Sequence, residues 1–263
     1  MLYIVATPIG NLKEFTYRAV EVLNSVEYIL CEDTRTSKVL LDNYNIRKPL
    51  KSYHKFNETK ASEEVVEDLH NGKDIALISD AGMPGISDPG NILVKKLIEE
   101  GLEYTVVSGA SAVINAFVMS GYSTPFTFVG FLPDNNSKCN ELLNELKNYK
   151  TSLIFYCSPH SLAEDLDKLY SVLGNRNICV IREISKKFEE KIFTTLEMGY
   201  NGVIKGEFVV IVDKPDREET NLDIDQDLQI LLNMGVSKTD ASKVLAKAKG
   251  LKKGDIYKNA IGR

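Results

Sequence analysis

The sequence predicts an α/β fold: two α/β units in series, followed by a small helical appendage. Three observations predict it. Short apolar runs alternate with amphipathic segments over the first 112 residues, a second such series runs to Val212, and the composition changes abruptly beyond it. A chain of 263 residues can bury a sizeable core and is long enough for two domains. Its 43% hydrophobic and 26% charged residues are those of an ordinary soluble globular protein.

Leu2–Ala6 is the first strand, and Ala19, Val20, Leu23 and Val26 mark a helix face behind it. Tyr28–Cys31 is the next strand, followed by helical segments carrying Val39, Leu40 and Leu41 and then Val65, Val66 and Leu69. Asp74–Ser79 is a buried strand that runs into Ser79-Asp80-Ala81-Gly82-Met83-Pro84-Gly85-Ile86-Ser87-Asp88-Pro89-Gly90. A loop so rich in Gly, Pro and Asp gives up side-chain packing for tight turns and close backbone approach, which suits a ligand cradle at a strand's carboxyl end. Leu93, Val94, Leu97 and Ile98 form a helical stripe closed by Gly101, and Tyr104–Val107 is the fifth strand. Such alternation implies a mostly parallel, doubly wound sheet. The small residues Ser108–Ala112 make another junction at which backbone amides can approach a ligand.

Gly121, Ser123 and Pro125 interrupt the pattern, which places domains at 1–115 and 116–215. The second is read as strands Leu153–Cys157, Ile178–Arg182 and Phe208–Val212 with helices near 139–148 and 161–172; Glu189–Thr195 is expected to pair with Gly206–Val212 as an antiparallel ribbon. A third piece, 222–263, holds two short helices. Leu228, Leu231 and Leu232 mark one; Ser237 to Asp240 caps the other, which presents Ala241, Val244, Leu245 and Ala248 on one face.

Several classes are disfavoured. Apolar runs stop at six residues or fewer, no membrane span is expected, and the first residues lack a signal-type segment. Cys31, Cys139, Cys157 and Cys179 have no close pairs, which fits a reducing cytoplasm, and Cys157 with His160 lacks the second pair of a zinc site. Neither G-x-G-x-x-G after the first strand nor G-x-x-x-x-G-K-[ST] occurs. The net charge of −5 hides an asymmetry: residues 213–227 hold seven acidic and two basic groups, and 237–263 eight basic and two acidic. Polar clusters sit at strand ends. Glu32-Asp33-Thr34-Arg35 fits either a helix cap or recognition of a polar substrate; His54-Lys55-Phe56-Asn57-Glu58 and Arg182-Glu183 with Lys186 and Glu189 are equally ambiguous singly. Together, the loops after residues 6, 31, 79 and 107 are expected to surround one cleft.

In order, these motifs resemble the tetrapyrrole methylase superfamily, and within it the ribosomal RNA small-subunit methyltransferase I branch. The resemblance rests on Ala6-Thr7-Pro8-Ile9-Gly10-Asn11-Leu12, Glu32-Asp33-Thr34-Arg35, His54 with Asn57-Glu58, and Ser79–Gly90. It continues through Gly130-Phe131-Leu132-Pro133, Phe155-Tyr156, Pro159-His160, Arg182-Glu183 with Lys186, and Gly206-Glu207-Phe208. Departures from the family pattern stand at Met83, Ser108, Ala110 and Ser161. The resemblance implies a homodimer of chains, each with two α/β methylase domains and a cofactor cleft between them. It further implies S-adenosylmethionine as methyl donor and 2′-O-methylation of a cytidine in the decoding region of 16S ribosomal RNA, without a metal.

On that reading Pro8, Asp80, Gly82, Pro84, Gly109, Ser111, Ala112 and Tyr156 hold the donor. Glu32, Arg35, His54, Glu58, Glu183 and Lys186 form the catalytic, acceptor-side set. Arg35, Asn57 and the tail lysines Lys243, Lys247, Lys252 and Lys253 contact RNA. A tetrapyrrole-like small-molecule methylase and an RNA-binding assembly protein with vestigial activity are the alternatives.

Overall fold

The computed structural model describes residues 1–215 and 224–249. Its elements are, in order, β1 (Leu2–Val5), a 3₁₀ turn at Leu12–Glu14, α1 (Tyr17–Ser25), β2 (Tyr28–Cys31), α2 (Thr34–Asn43), β3 (Leu50–Ser52), α3 (Glu58–His70), β4 (Ile75–Ile78), α4 (Asn91–Glu100) and β5 (Tyr104–Val107). Then come α5 (Ala112–Ser120), β6 (Phe126–Phe131), α6 (Asn136–Leu146), β7 (Ser152–Cys157), α7 (Leu162–Leu173), β8 (Asn177–Arg182), β9 (Glu190–Thr195), β10 (Phe208–Val212), α8 (Ile224–Asn233) and α9 (Lys238–Lys249).

The first sheet has the order β3-β2-β4-β1-β5 and is parallel throughout. Its central strands are buried on both faces, which explains why they read as continuous apolar runs. Ala19, Val22, Leu23, Leu40 and Leu41 of α1 and α2 cover one face, and Val65, Leu69, Leu93 and Leu97 of α3 and α4 cover the other. Parallel strands joined by helices bring every strand's carboxyl end to one edge.

The second sheet is mixed, in the order β6-β7-β10-β8-β9, with β6 and β7 parallel and the remaining pairs antiparallel. The ribbon expected between Glu189–Thr195 and Gly206–Val212 is not formed: β9 pairs with β8, and β10 lies between β7 and β8. Burial decides the matter, because all five residues of β10 are buried and demand a central position, whereas β9 alternates and suits an edge. One face packs under the leucine stripe Leu162, Leu166, Leu169 and Leu173 of α7 together with α6. The other packs against Val113, Ala116 and Phe117 of α5, joined by Ile9 and Ile184. The expected domain break at 115–116 therefore falls inside α5, whose buried side belongs to the second sheet.

Residues up to 214 form one compact unit, and a second lies beyond. In the latter, Leu228 packs with Ala241, Leu245 and Ala246. Ser237 Oγ accepts from the Asp240 amide at 3.2 Å, the expected cap, but Val244 is 54% exposed rather than part of the buried face. Ala248's side chain and residues 250–263, with Lys252 and Lys253, lie outside the described residues. Among the described residues no helix is long and apolar enough to cross a membrane, and no His/Cys/Asp/Glu group is arranged to hold a metal ion.

Candidate active site

The carboxyl ends of β1, β2, β4 and β5 meet those of β6, β7 and β8 and the start of β10 around one cavity of about 460 Å³. All four loops expected to surround a cleft reach it: Ile9, Glu32, Asp80 to Met83 with Ile86 to Asp88, and Ser111-Ala112. The second sheet contributes Phe131, Tyr156 to Pro159, Ile184, and Glu207 to Val209. Two of the loops are clamped together. The Thr7 amide donates to Gly82 O at 2.8 Å, the Gly82 amide returns a bond to Thr7 O at 3.1 Å, and Thr7 Oγ1 donates to Ser79 O at 3.2 Å. Gly82 has φ +80, and a Cβ there would lie 3.2 Å from Ile9, so only glycine lets the loop turn this close to β1.

The cavity's polar wall is acidic. Burial pushes the Asp88 carboxyl up to about 6, and the neighbouring Glu32 and Asp80 carboxylates add to the rise. Burial also raises Glu32, with Asp80 adding and His54 opposing, and it raises Asp80 against the hydrogen bond that the Asp33 amide donates to it, the Asp33 charge adding a smaller rise. Burial, then Asp88, raises the Tyr156 hydroxyl to about 12. Facing these acids, α5 begins at Ala112 with no side-chain cap from Ser111, so its first-turn amides and positive dipole end open on the cavity. Met83, Ile86, Phe131 and Tyr156 supply apolar surface, Phe131 and Tyr156 meeting edge-on at 5.5 Å between ring centres. Carboxylates at this density repel phosphates and favour a cationic centre, while the helix start favours a carboxylate.

The profile of the tetrapyrrole (corrin/porphyrin) methylases matches residues 1–198. The chain belongs to this family. A ribosomal RNA small subunit methyltransferase I of Halalkalibacterium halodurans is 41% identical, over 97% of this chain and 93% of the relative. The protein of that name from Bacillus subtilis is 37% identical, over 98% and 92%. Matches at this identity and length place the methylase in that branch. Among solved structures, the methyltransferase CobJ superposes with a TM-score of 0.62 at 16% identity, covering 81% of this chain and 93% of its own. A Thermus thermophilus uroporphyrin-III-C-methyltransferase gives 0.58, also at 16%, covering 81% and 94%. At such identity these two speak for the fold.

The methylase's cavity contains Glu32, Asp80, Gly82, Ser111, Ala112 and Tyr156 of the residues expected from sequence. Pro8 and Pro84 are buried behind the lining, and Gly109 serves packing: a Cβ there would lie 2.8 Å from Ala6 Cβ. Arg35 stays outside, its side chain 90% exposed and its guanidinium bound to Asp33 at 2.7 Å. Asp33 caps α2 by accepting from the Arg35 amide at 2.8 Å. His54 is felt electrostatically by Glu32 but does not line the cavity. Asn57 braces its own loop, accepting from the His54 amide and donating to Ser52 O, and it faces a separate depression. Glu58 stands in the first turn of α3, away from the cavity lining. Lys243 and Lys247 are exposed on α9, Lys243 lying 3.8 Å from Asp240.

Glu183 and Lys186 form a network just behind the lining. Lys186 Nζ lies 2.8 Å from Glu183 Oε1 and 2.9 Å from Glu207 Oε2, and the Glu207 amide donates to Glu183 Oε1 at 3.0 Å. Gly206, at φ +92, makes room: a Cβ there would lie 2.4 Å from Glu183 Oε1. Gly206→Ala is expected to cost about 1–3 kcal/mol in thermal unfolding, from the left-handed backbone and the displaced carboxylate. The lining also includes residues that the sequence does not single out as site residues, among them Asp88, Glu207 and Phe131. All three stood inside recognised motifs, so the signal was present, but only folding shows which members of a motif face inward.

Proposed function

We propose that the cavity holds S-adenosylmethionine and that the methylase transfers its methyl group to the 2′-hydroxyl of a cytidine in the decoding region of 16S ribosomal RNA. Similarity over nearly the whole chain to proteins named ribosomal RNA small subunit methyltransferase I carries this reading. The donor set fits. The acidic wall suits a sulfonium and an ammonium, the start of α5 suits the amino-acid carboxylate, and the apolar side chains suit the adenosine.

When bound, S-adenosylmethionine supplies an electrophilic methyl group. The chain's own residues do the rest. Ser111, Ala112 and the first amides of α5 fix one end of the donor, and Met83, Ile86 and Phe131 exclude water from it. Asp80 and Glu32 balance positive charge. Asp88, the carboxyl most strongly shifted by burial, accepts the proton that the ribose hydroxyl loses. Glu183 and Lys186, held as an ion pair, set the position of Glu207 in the wall, while Arg35 and His54 act at the rim on the RNA side. Lys243, Lys247, Lys252 and Lys253 add backbone attraction. We place the protein in the cytoplasm, as a homodimer that meets its RNA within the small ribosomal subunit.

The full-length protein, small ribosomal subunits lacking the modification and methyl-labelled S-adenosylmethionine are expected to yield one label per 16S RNA, on a cytidine ribose. Label on a base, or none in RNA, overturns the reading.

A further inference from the structure

A second recess opens beside the cavity, a shallow groove of about 660 Å³ lined by Gly10 to Lys13, Asn43, Tyr44 and Ser185 to Lys187. The two are continuous along both walls. Ile9 lines the cavity and Gly10 the groove; Ile184 lines the cavity and Ser185 the groove. One step along the chain on either side therefore passes from the lining of the acidic cavity to that of the groove. The groove presents Lys13, Lys186 and Lys187 and no carboxylate. Lys186 is neutralised by Glu183 and Glu207, whereas Lys13 and Lys187 carry no ion pair among the described residues. Both are exposed, and Lys187 lies over the ring of Phe188, itself 62% exposed.

The groove is rigidly built. A Cβ at Gly10 would lie 2.5 Å from Lys186 Cγ and 2.7 Å from Ile184 O, so the loop after β1 and the loop after β8 touch with nothing between them. The second loop carries two non-glycine residues in the left-handed region, Glu183 at φ 55 and Ser185 at φ 63. Such conformations persist only where surrounding bonds over-determine them. Here the Ser185 amide donates to Glu189 Oε2 at 2.7 Å, the Lys186 amide to Glu183 O at 3.0 Å and the Glu189 amide to Lys186 O at 3.1 Å. The loops after β1 and β8 thus bring Lys13 and Lys187 to the lining of one groove.

We infer that this groove binds the phosphodiester backbone of the RNA strand flanking the target nucleotide, with Lys13 and Lys187 each meeting a phosphate. The inference rests on the proposed RNA acceptor. A strand whose reacting ribose enters the acidic cavity must keep its phosphates out of it, and the adjoining groove is where unpaired positive charge waits. The exposed ring of Phe188 beside Lys187 offers a stacking face for an unpaired base, the usual companion of a basic groove on single-stranded nucleic acid.

The test uses fluorescently labelled full-length protein titrated with unmodified small ribosomal subunits over a range of salt, with donor affinity measured by calorimetry. Lys13→Ala/Lys187→Ala is expected to bind the subunit about tenfold more weakly and to lower the salt slope by about 1.4–1.8, the loss of two phosphate contacts. S-adenosylmethionine affinity is expected to stay unchanged. Lys95→Ala/Lys150→Ala removes the same charge from exposed sites away from the groove and is expected to behave like wild type. If the groove variant matches wild type in affinity and slope while wild type methylates the RNA, the groove proposal falls alone. Equal weakening by both pairs also overturns it, as a general charge effect. If wild type neither binds nor methylates the subunit, the RNA reading falls and takes the groove with it.

Discussion

Asp88→Asn is expected to methylate RNA about 10²–10³-fold more slowly than wild type and yet to unfold at a higher temperature near pH 7. The first effect is what removal of a general base costs. The second follows from linkage. The carboxyl sits at about 6 in the fold and at 3.8 in its ordinary state, raised first by burial and then by Glu32 and Asp80. Its proton is therefore held more tightly by the native chain than by the unfolded one. The native state pays no penalty below about pH 4, where both forms are protonated, and loses stability as pH rises through about 6. A rise of this size is worth up to about 3 kcal/mol. Because Asp88 is partly open to water and Ser79 bonds to its charged form, about 1 kcal/mol is expected, or 2–4 °C. The neutral amide escapes that penalty, so its advantage appears near pH 7 and vanishes by about pH 4. Single-turnover methylation by wild type should rise with pH through about 6 and level off; the variant should lose that step. The groups that face Asp88 are Glu32, Asp80, Ser79 and Tyr156. A slow variant that is also less stable assigns Asp88 to structure, and an unchanged rate or pH step removes it from the chemistry.

The first sheet was legible because each of its central strands is buried on both faces and each helix shows its stripe. β3 was not, since Leu50-Lys51-Ser52 is three residues long, two of them polar, and at an edge, where no periodicity can build up. The second sheet was harder for a different reason. Antiparallel and parallel pairings leave the same apolar run in Phe208–Val212, so its place between β7 and β8 is fixed by tertiary burial rather than by local pattern. In the site, loops at strand ends could be read as converging, because topology alone dictates that. Which side chain of a motif faces inward could not. Asp33 and Asn57 sit in polar clusters that look functional, and both spend their side chains on caps and turns. Asp88 sits among glycines and prolines that look merely conformational, and it faces the cavity.

Ala112→Phe is expected to weaken S-adenosylmethionine binding at least 100-fold, a loss of about 2.7 kcal/mol. Ala112 is the first residue of α5 and lines the cavity where its amides open on it. A phenyl group there takes up space in a volume of about 460 Å³ that a drug-sized ligand would largely fill, and it screens the helix start from a carboxylate. The fold should tolerate the change. Ala112 is only partly buried, and the lower helix propensity of Phe costs about 0.5 kcal/mol. Calorimetry with the donor and a melting curve separate the two effects, and Ala112→Ser, small enough to leave the cavity open, should bind near normally. Subunit binding should survive in Ala112→Phe, since Lys13 and Lys187 stand in the neighbouring groove. Unchanged donor affinity would move the donor elsewhere. Loss of donor binding with RNA binding intact would mean that two adjoining recesses of opposite charge divide the work, one holding the cationic methyl source and the other the polyanion that receives it.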